Sequence, residues 1–333
     1  MNANALRWDG APGHYEVHYL SATDRGSGVG LWIRYTMLAP LEGDATCSLW
    51  FMAMDPAAPG EGIGRKTSRP IGDLVATAEP FALRIGDAVL SDRGMTGAFD
   101  DVAWDLRWEP RLPAAEHVHP LLRRAKIAKT VLTLAHPDVV VEGTVAFAGR
   151  DLVLDGARGG QAHLWGAKHA ARWAWAHCND FETLDGAPRP DTFMDGVSVF
   201  VPRLGREIGP SSPVVGRFAG RDFRSTNPVA VIRNPSRFGL TSWRVEACDG
   251  ARKITADVDA DRASLVGVTY HDPDGELAYC YNTETASMHL RVWDRDRSIK
   301  EGWRIAEELS APGRAHFEYA QREPLAGVEL HVR

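Results

Sequence analysis

The chain has 333 residues, 44% of them hydrophobic and 25% charged, the balance of a folded globular protein long enough for two domains. Its formal net charge of -6 disfavours nucleic acid or an anionic membrane as the main partner, because both ask for a basic stripe. The four cysteines, Cys47, Cys178, Cys248 and Cys280, form no CxxC pair. They read as free thiols of a reducing compartment rather than as zinc ligands or a disulfide framework.

In chain order, "MNANALRWDGAPGHYEVHYL" has no charged region followed by an apolar run, so no secretory signal is expected. No stretch approaches the roughly 18 apolar residues of a membrane span. These absences predict a cytoplasmic protein. "HYEVHYL" (14–20) and "GLWIRYTML" (30–38) are rich in aromatic and β-branched residues and predict two strands of a hairpin around the turn-rich "SATDRGSGVG". "CSLWFMAMD" (47–55) predicts a third strand, and "PAAPGEGIGRKTSRP" (56–70) a loop. In "DDVAWDLRWEP" the alternation puts Val102, Trp104, Leu106 and Trp108 on one face of a strand. "HPLLRRAKIAKT" (119–130) predicts a short helix and carries the densest basic run, too short to imply a polyanion partner. Short strands and turns then continue to the C-terminus, with "DRSIKEGWRIAEELSAPG" predicting a second helix from about Ser298 to Leu309.

Many short strands without βαβ alternation predict a mainly β protein of antiparallel barrels or sandwiches with few short helices. No short repeat is visible, but the chain has a loose two-part rhythm. "TLDGAPRPDTFMDG" (183–196) is its most linker-like segment. Two domains, 1–182 and 183–333, are expected, with the boundary somewhere within 155–200.

"GSGVG" and "GEGIGRK" fail the spacing of nucleotide-binding loops. Neither G-x-S-x-G nor H-E-x-x-H occurs. "EHVHP" would put His117 and His119 on one face of a strand, but the sequence nominates no further ligands. No metal and no cofactor are expected.

Three constellations can carry chemistry. If 172–181 is a strand, Trp173, Trp175, His177, Asn179 and Phe181 share a large face, opposite the small face of Ala174, Ala176, Cys178 and Asp180. Indoles offer apolar area and π faces for a cation, while an imidazole and an amide orient a ligand or move protons. Trp173, Trp175, His177 and Asn179 are expected to look into one cavity, with His163, Trp165 and His169 in the preceding loop. In "HYEVHYL", His14, Glu16 and His18 share a face; a Glu16 lining a barrel interior is expected to have a raised pKa and to donate protons. In "AYCYNTETASMHLRVW", Tyr279, Tyr281 and Thr283 share a face that could line a cavity or cap a barrel.

The early strand "YEVHYL", the following "GLWIRYTM" and the mid-chain "RWAWAHCNDF" resemble the lipocalin-like superfamily of carotenoid 1,2-hydratases and tocopherol cyclases. Glu16 and Tyr19 match the first and last residues of that group's Glu-Gly-Trp-Tyr element, with Val17 and His18 replacing the Gly and Trp. Trp173, Trp175, Cys178, Asn179 and Phe181 are similar to its Trp-x-Trp strand running into Cys-Asn and Phe. The resemblance implies two tandem lipocalin-like β-domains, an apolar cavity near their contact, and cofactor-free acid catalysis on a polyprenyl or terpenoid double bond.

The expected function is therefore a cofactor-independent hydratase, cyclase or lyase acting on a hydrophobic terpenoid or aromatic molecule. Glu16, His18, His163 and His177 would move protons, and Trp165, Trp173, Trp175, Asn179, Tyr279 and Tyr281 would line the site. Two alternatives stand beside it: a non-catalytic carrier of a lipid-like or aromatic ligand, and a lyase or dehydratase on a steroid or lignin-derived aromatic. The partner is a small hydrophobic molecule, and a homo-oligomer is compatible with the sequence.

Overall fold

The structure, a computed structural model, describes residues 2–119, 129–203 and 206–332. The first antiparallel sheet is built from β1 (His14–Thr23), β2 (Gly30–Ala39), β3 (Thr46–Met54), β4 (Ile63–Pro70), β5 (Leu74–Ala78), β6 (Phe81–Ile85), β7 (Ala88–Ser91), β8 (Gly94–Phe99), β9 (Val102–Trp108), β10 (Ala115–Glu116), β11 (Thr130–Phe147) and β12 (Arg150–Gly166). The second contains β13 (Arg172–Cys178), β14 (Glu182–Thr183), β15 (Phe193–Arg203), β16 (Arg206–Ser211), β17 (Val214–Phe218), β18 (Arg221–Ser225), β19 (Ser236–Gly239), β20 (Ser242–Cys248), β21 (Arg252–Asp259), β22 (Val266–His271), β23 (Leu277–Arg295), β24 (Trp303–Gln321) and β25 (Leu330–Val332), with one short helix, α1 (Pro228–Arg233). The protein is thus mainly β, as expected.

The two sheets repeat one plan. The first runs β2-β1-β12-β11-β9 through its centre and the second β15-β13-β24-β23-β21. In each, the opening strand pairs with the return arm of a long hairpin. Each sheet curls around its own core. Leu20, Leu31, Ile33, Phe51, Leu83 and Trp104 belong to the first core, and Val214, Phe218, Trp243, Ile254, Tyr281 and Phe317 to the second. Sheet membership changes between Gly166 and Arg172, so β13 pairs only with strands of the second sheet.

The outer face of β1, β2 and β3 packs flat against the outer face of β13, β23 and β24, and a third apolar cluster joins Trp32, Trp50 and Met52 to Trp173, Val268 and Cys280. Strands covered on both sides lose the in–out alternation of a half-solvated strand. That is why β2 is buried almost throughout, while β9 alternates with Val102, Trp104, Leu106 and Trp108 inward.

Three local expectations need correction. The 56–70 segment is a loop only up to Gly62. Its polar remainder is the edge strand β4, whose Lys, Arg and terminal Pro suit a sheet edge. The segment from Ser298 to Leu309 is not helical. Asp296 accepts from the Ser298 backbone and turns the chain, and β24 then pairs with β23 from Arg295↔Trp303 onward. Ladder pairing overrides the helical propensity of "IAEEL". His163 and Trp165 lie not in a loop but on β12, which runs to Gly166. The helix expected over 119–130 falls outside the described residues from 120 to 128. No helix among the described residues is long and apolar enough to cross a membrane.

Candidate functional site

Both faces of β1 carry polar side chains, and they serve two different clusters. On the inner face, at the mouth of the first barrel, His18 pairs with His163 across β1 and β12, and their rings stack at 3.9 Å. Glu16 is sealed from solvent. Its Oε1 stands 2.7 Å from His163 Nε2 and 2.7 Å from the Arg7 backbone N; its Oε2 stands 3.0 Å from His14 Nε2 and 3.0 Å from the Trp8 backbone N. The expectation of a raised Glu16 pKa is overturned. Burial alone would raise it, but the bonds from His14 and His163 hold it down at about 2. His18 is pulled down to about 3 by burial, with His163 adding to the effect. Glu16, its pKa held low, anchors the N-terminal segment through the Arg7 and Trp8 amides.

Glu16, His18 and His163 also place metal-donor atoms within 4.8 Å of one another. The two imidazoles lie only 14° from parallel, however, so their lone pairs do not converge on one point, and the carboxylate is already fully engaged. This is a hydrogen-bonded carboxylate–imidazole cluster. Trp165, 4.7 Å from the His163 ring, separates it from a cleft of about 530 Å³ lined by Ala3, Arg7, Glu116, Thr133 and Arg224.

The second cluster lies between the sheets. Trp173, Trp175 and His177 share the outer face of β13, as the alternation predicts. They do not look into one open cavity. Trp173 packs with Trp32, Trp50 and Tyr270, Trp175 with Leu134, Phe193 and Val215, and His177 lies under Gly160, where an added Cβ would come within 2.9 Å of the ring. Each indole N–H is fixed by an acid, the first half-buried and the second buried. Trp173 Nε1 donates to Glu318, and Trp175 Nε1 donates to Asp195 at 3.1 Å. His117 Nε2 approaches the same Asp195 carboxylate at 2.9 Å. His169 closes over this end, stacked on Tyr15 and Trp173 and bonded to Asp272.

At the other end the hydrogen bonds fix proton positions. His177 Nε2 lies 2.9 Å from the Pro137 carbonyl and its Nδ1 lies 3.1 Å from His316 Nδ1. A carbonyl only accepts, so His177 carries its proton on Nε2. Burial lowers the pKa of both rings, His316 well below the usual value, so both are neutral. His177 Nδ1 then accepts from His316 Nδ1–H, and His316 Nε2 is left bare. Glu284 Oε2 lies 3.8 Å from His316 Nδ1. Burial raises the Glu284 pKa well above the carboxylate range; Ser21 opposes the shift and the charge of Glu318 adds to it. Glu284 is therefore a neutral carboxylic acid. It sits where the β23–β24 register slips between Thr283 and Ala286, and such bulges re-aim side chains.

The result is a polar lane walled by indoles and phenols. Among the described residues, the buried polar atoms along it that have no hydrogen-bond partner include Ser21 Oγ, Arg34 Nε and Nη1, Asn282 Nδ2, Glu284 Oε2 and His316 Nε2. Unpaired buried polar groups are expensive and call for an explanation. At one end of the lane lie Arg34, Trp50, Trp173 and Tyr270, each with 5–6% of its surface exposed.

Other expected site residues lie elsewhere. Asn179 is past the end of β13, and its amide ties the sheets by donating to Gly159 O and Asp138. Phe181 turns into the second core rather than sharing the face of Trp173. Tyr279 and Tyr281 also point toward that core, on the side of β23 away from the lane. The sequence reading missed Arg34, Asp195, Glu284, His316 and Glu318. Period-two spacing, Trp32/Arg34 in "LWIRY" and His316/Glu318 in "AHFEY", was the available signal.

The fold is that of two antiparallel β-sheets, each curled around its own core, with a polar layer between them. No family model matches the chain. It is 29% identical over 303 residues to an uncharacterised protein of Mycobacterium tuberculosis, Rv0493c, covering 88% of this chain and 85% of that one. Among solved structures it shares its fold with a protein assigned as AttH from Nitrosomonas europaea (TM-score 0.56, 14% identity, 97% of this chain and 99% of that one). It shares it also with kievitone hydratase from Nectria haematococca (TM-score 0.55, 10% identity, 96% and 91%). CghA in complex with Sch210972 is similar at a TM-score of 0.59, with 10% identity over 97% and 94% of the two chains.

Proposed function

We propose that the protein is an acid–base enzyme of the hydratase, cyclase or lyase kind, acting in the inter-sheet lane on a hydrophobic terpenoid or aromatic substrate that carries a carbon–carbon double bond. The observation that carries this reading is Glu284, a sealed carboxyl whose Oε2 lacks a hydrogen-bond partner 3.8 Å from His316 Nδ1 and whose pKa burial raises. A neutral acid at physiological pH is what protonating an alkene requires. That a hydratase is among the proteins of this fold supports the reading.

In the hydration direction, the Glu284 O–H proton goes to one alkene carbon, leaving a carbocation and a carboxylate. The indole faces of Trp32 and Trp173 stabilise the cation. Water adds to the cation, and His316 Nε2 takes the proton that the water loses. His316 then returns its Nδ1 proton to Glu284 across the 3.8 Å gap. The sum is alkene plus water to alcohol, with Glu284 reprotonated and His316 neutral in its other tautomer, Nε2–H, which exchanges protons with water to regain Nδ1–H before the next turnover; elimination is the reverse. In a cyclase, an internal hydroxyl replaces the water. Glu318 holds the Trp173 indole in place and Asp195 that of Trp175.

The test is a panel of prenylated phenols and terpenoid alkenes incubated with the protein in D2O, read by mass spectrometry for carbon-bound deuterium. Turnover is expected in the unaltered protein. Glu284→Gln should reduce it by about 10²–10⁴-fold, with the near-ultraviolet circular dichroism unchanged. Undiminished deuteration by Glu284→Gln would sink the assignment. Saturable binding without product in the unaltered protein would replace it with the carrier reading.

A further inference from the structure

Arg34 is the least compensated charge in the lane. It is 5% exposed. Its Nε and Nη1 have no hydrogen-bond partner, and no carboxylate among the described residues stands within 4.0 Å as an ion-pair partner. Its guanidinium carbon lies 4.3 Å from the ring centroid of Trp32, 4.7 Å from that of Tyr270 and 5.6 Å from that of Trp50. Ring faces attract a cation but cannot accept its in-plane N–H bonds. Glu318 does not serve it, because that carboxylate takes the Trp173 N–H and the Tyr270 hydroxyl. A second cation, Lys66, sits over the far side of the cage with its Nζ 4.3 Å from the Trp50 ring. Burial and the charge of Arg34 pull its pKa down. The lane mouth is therefore electropositive and flat-walled.

A buried guanidinium left with two free N–H groups is strongly unfavourable unless an anion completes it. The geometry points to Arg34 as the anchor of a ligand that carries a carboxylate or enolate oxygen next to a flat apolar body. That body would lie in the Trp32–Trp50–Trp173–Tyr270 cage while the oxygen accepts from Nε and Nη1. This rests on the proposed function for the location of the ligand and extends it by naming the class: a hydrophobic organic acid rather than a neutral hydrocarbon.

The test is binding, independent of turnover. Equilibrium dialysis at neutral pH compares 2-naphthoate with its methyl ester, which keeps the flat body and removes the charge. The unaltered protein should hold the acid about tenfold more tightly, or better. Arg34→Met should erase that preference and leave the ester within about twofold, because a charge-assisted bond is lost and the apolar cage is kept. Lys66→Gln should keep the preference. Arg34→Lys should lose most of it, since an ammonium lacks the guanidinium fork, and it decides the question if Arg34→Met does not fold. No saturable naphthoate binding, equal binding of the two probes, or a preference that survives both Arg34 variants each overturns the inference. The deuteration assay reports on Glu284 separately, so a failed anchor and a failed enzyme are distinguishable.

Discussion

Glu16 and Glu284 make a natural experiment within one chain. Both lie on strands, both are essentially sealed from solvent, and each stands beside a histidine that contacts a second histidine. Their protonation is opposite. Glu16 faces two backbone N–H groups and two imidazoles, and stays ionised down to about pH 2. Glu284 has only the Ser21 hydroxyl to oppose its desolvation, and stays neutral. Donor count, not burial, decides which carboxylate is a structural anion and which can give up a proton.

The strongest way to break the comparison is to remove the Glu16 charge. Glu16→Gln leaves His163 and the Arg7 and Trp8 amides facing an uncharged group that cannot satisfy them all. A loss of about 3–5 kcal/mol is expected from breaking a buried, hydrogen-bonded charge, read from urea unfolding. Hydrogen exchange at the Arg7 and Trp8 amides should accelerate with it. The pH signature has a definite sign. A carboxylate with a depressed folded pKa stabilises above its unfolded value near 4.5 and loses that contribution as pH falls toward about 2. The unaltered protein should lose stability across that window, and Glu16→Gln should lose less. An unchanged unfolding midpoint would show that the four contacts are not load-carrying.

Glu284→Gln should act in the opposite direction. A raised folded pKa means that above the unfolded value the native state holds a proton the unfolded chain has released. Stability then falls with rising pH, by about 1.4 kcal/mol per unit at most, until the folded group ionises. The glutamine variant is expected to be more stable than the unaltered protein at neutral and alkaline pH, with the gap shrinking below about pH 4.5. A stability gain coupled to lost turnover is the mark of a group kept for chemistry. Equal stability at every pH would place Glu284 as an ordinary carboxylate.

The sequence disclosed periodicity well and contacts poorly. Alternation in "VAWDLRW" gave the inward face of β9, and "RWAWAHC" gave the shared face of Trp173, Trp175 and His177, because a period of two is a local property of an extended chain. What that face met was not local. It packs on the first sheet, whose matching strands, β1 to β3, lie over a hundred residues earlier. The pKa of Glu16 was misjudged for the same reason. Its backbone donors come from Arg7 and Trp8, in a segment with no regular pattern to read. Glu284 depends on a bulge, and a register slip between β23 and β24 leaves no signature in either strand alone.

The mildest perturbation tests whether the two faces of β23 are independent. Tyr281 was expected to line the site, yet its ring is in the second core and its hydroxyl accepts from the Leu325 backbone N at 2.6 Å. Cys280 and Asn282, its neighbours, face the lane. Tyr281→Phe removes one acceptor and no packing volume, so a loss of about 1 kcal/mol is expected, visible as a small drop in the thermal midpoint. Deuteration and the naphthoate preference should not change, because Glu284 and Arg34 belong to the other face. If Tyr281→Phe instead abolished turnover while the thermal midpoint held, the chemistry would sit in the second core, and the lane between the sheets would be only a joint.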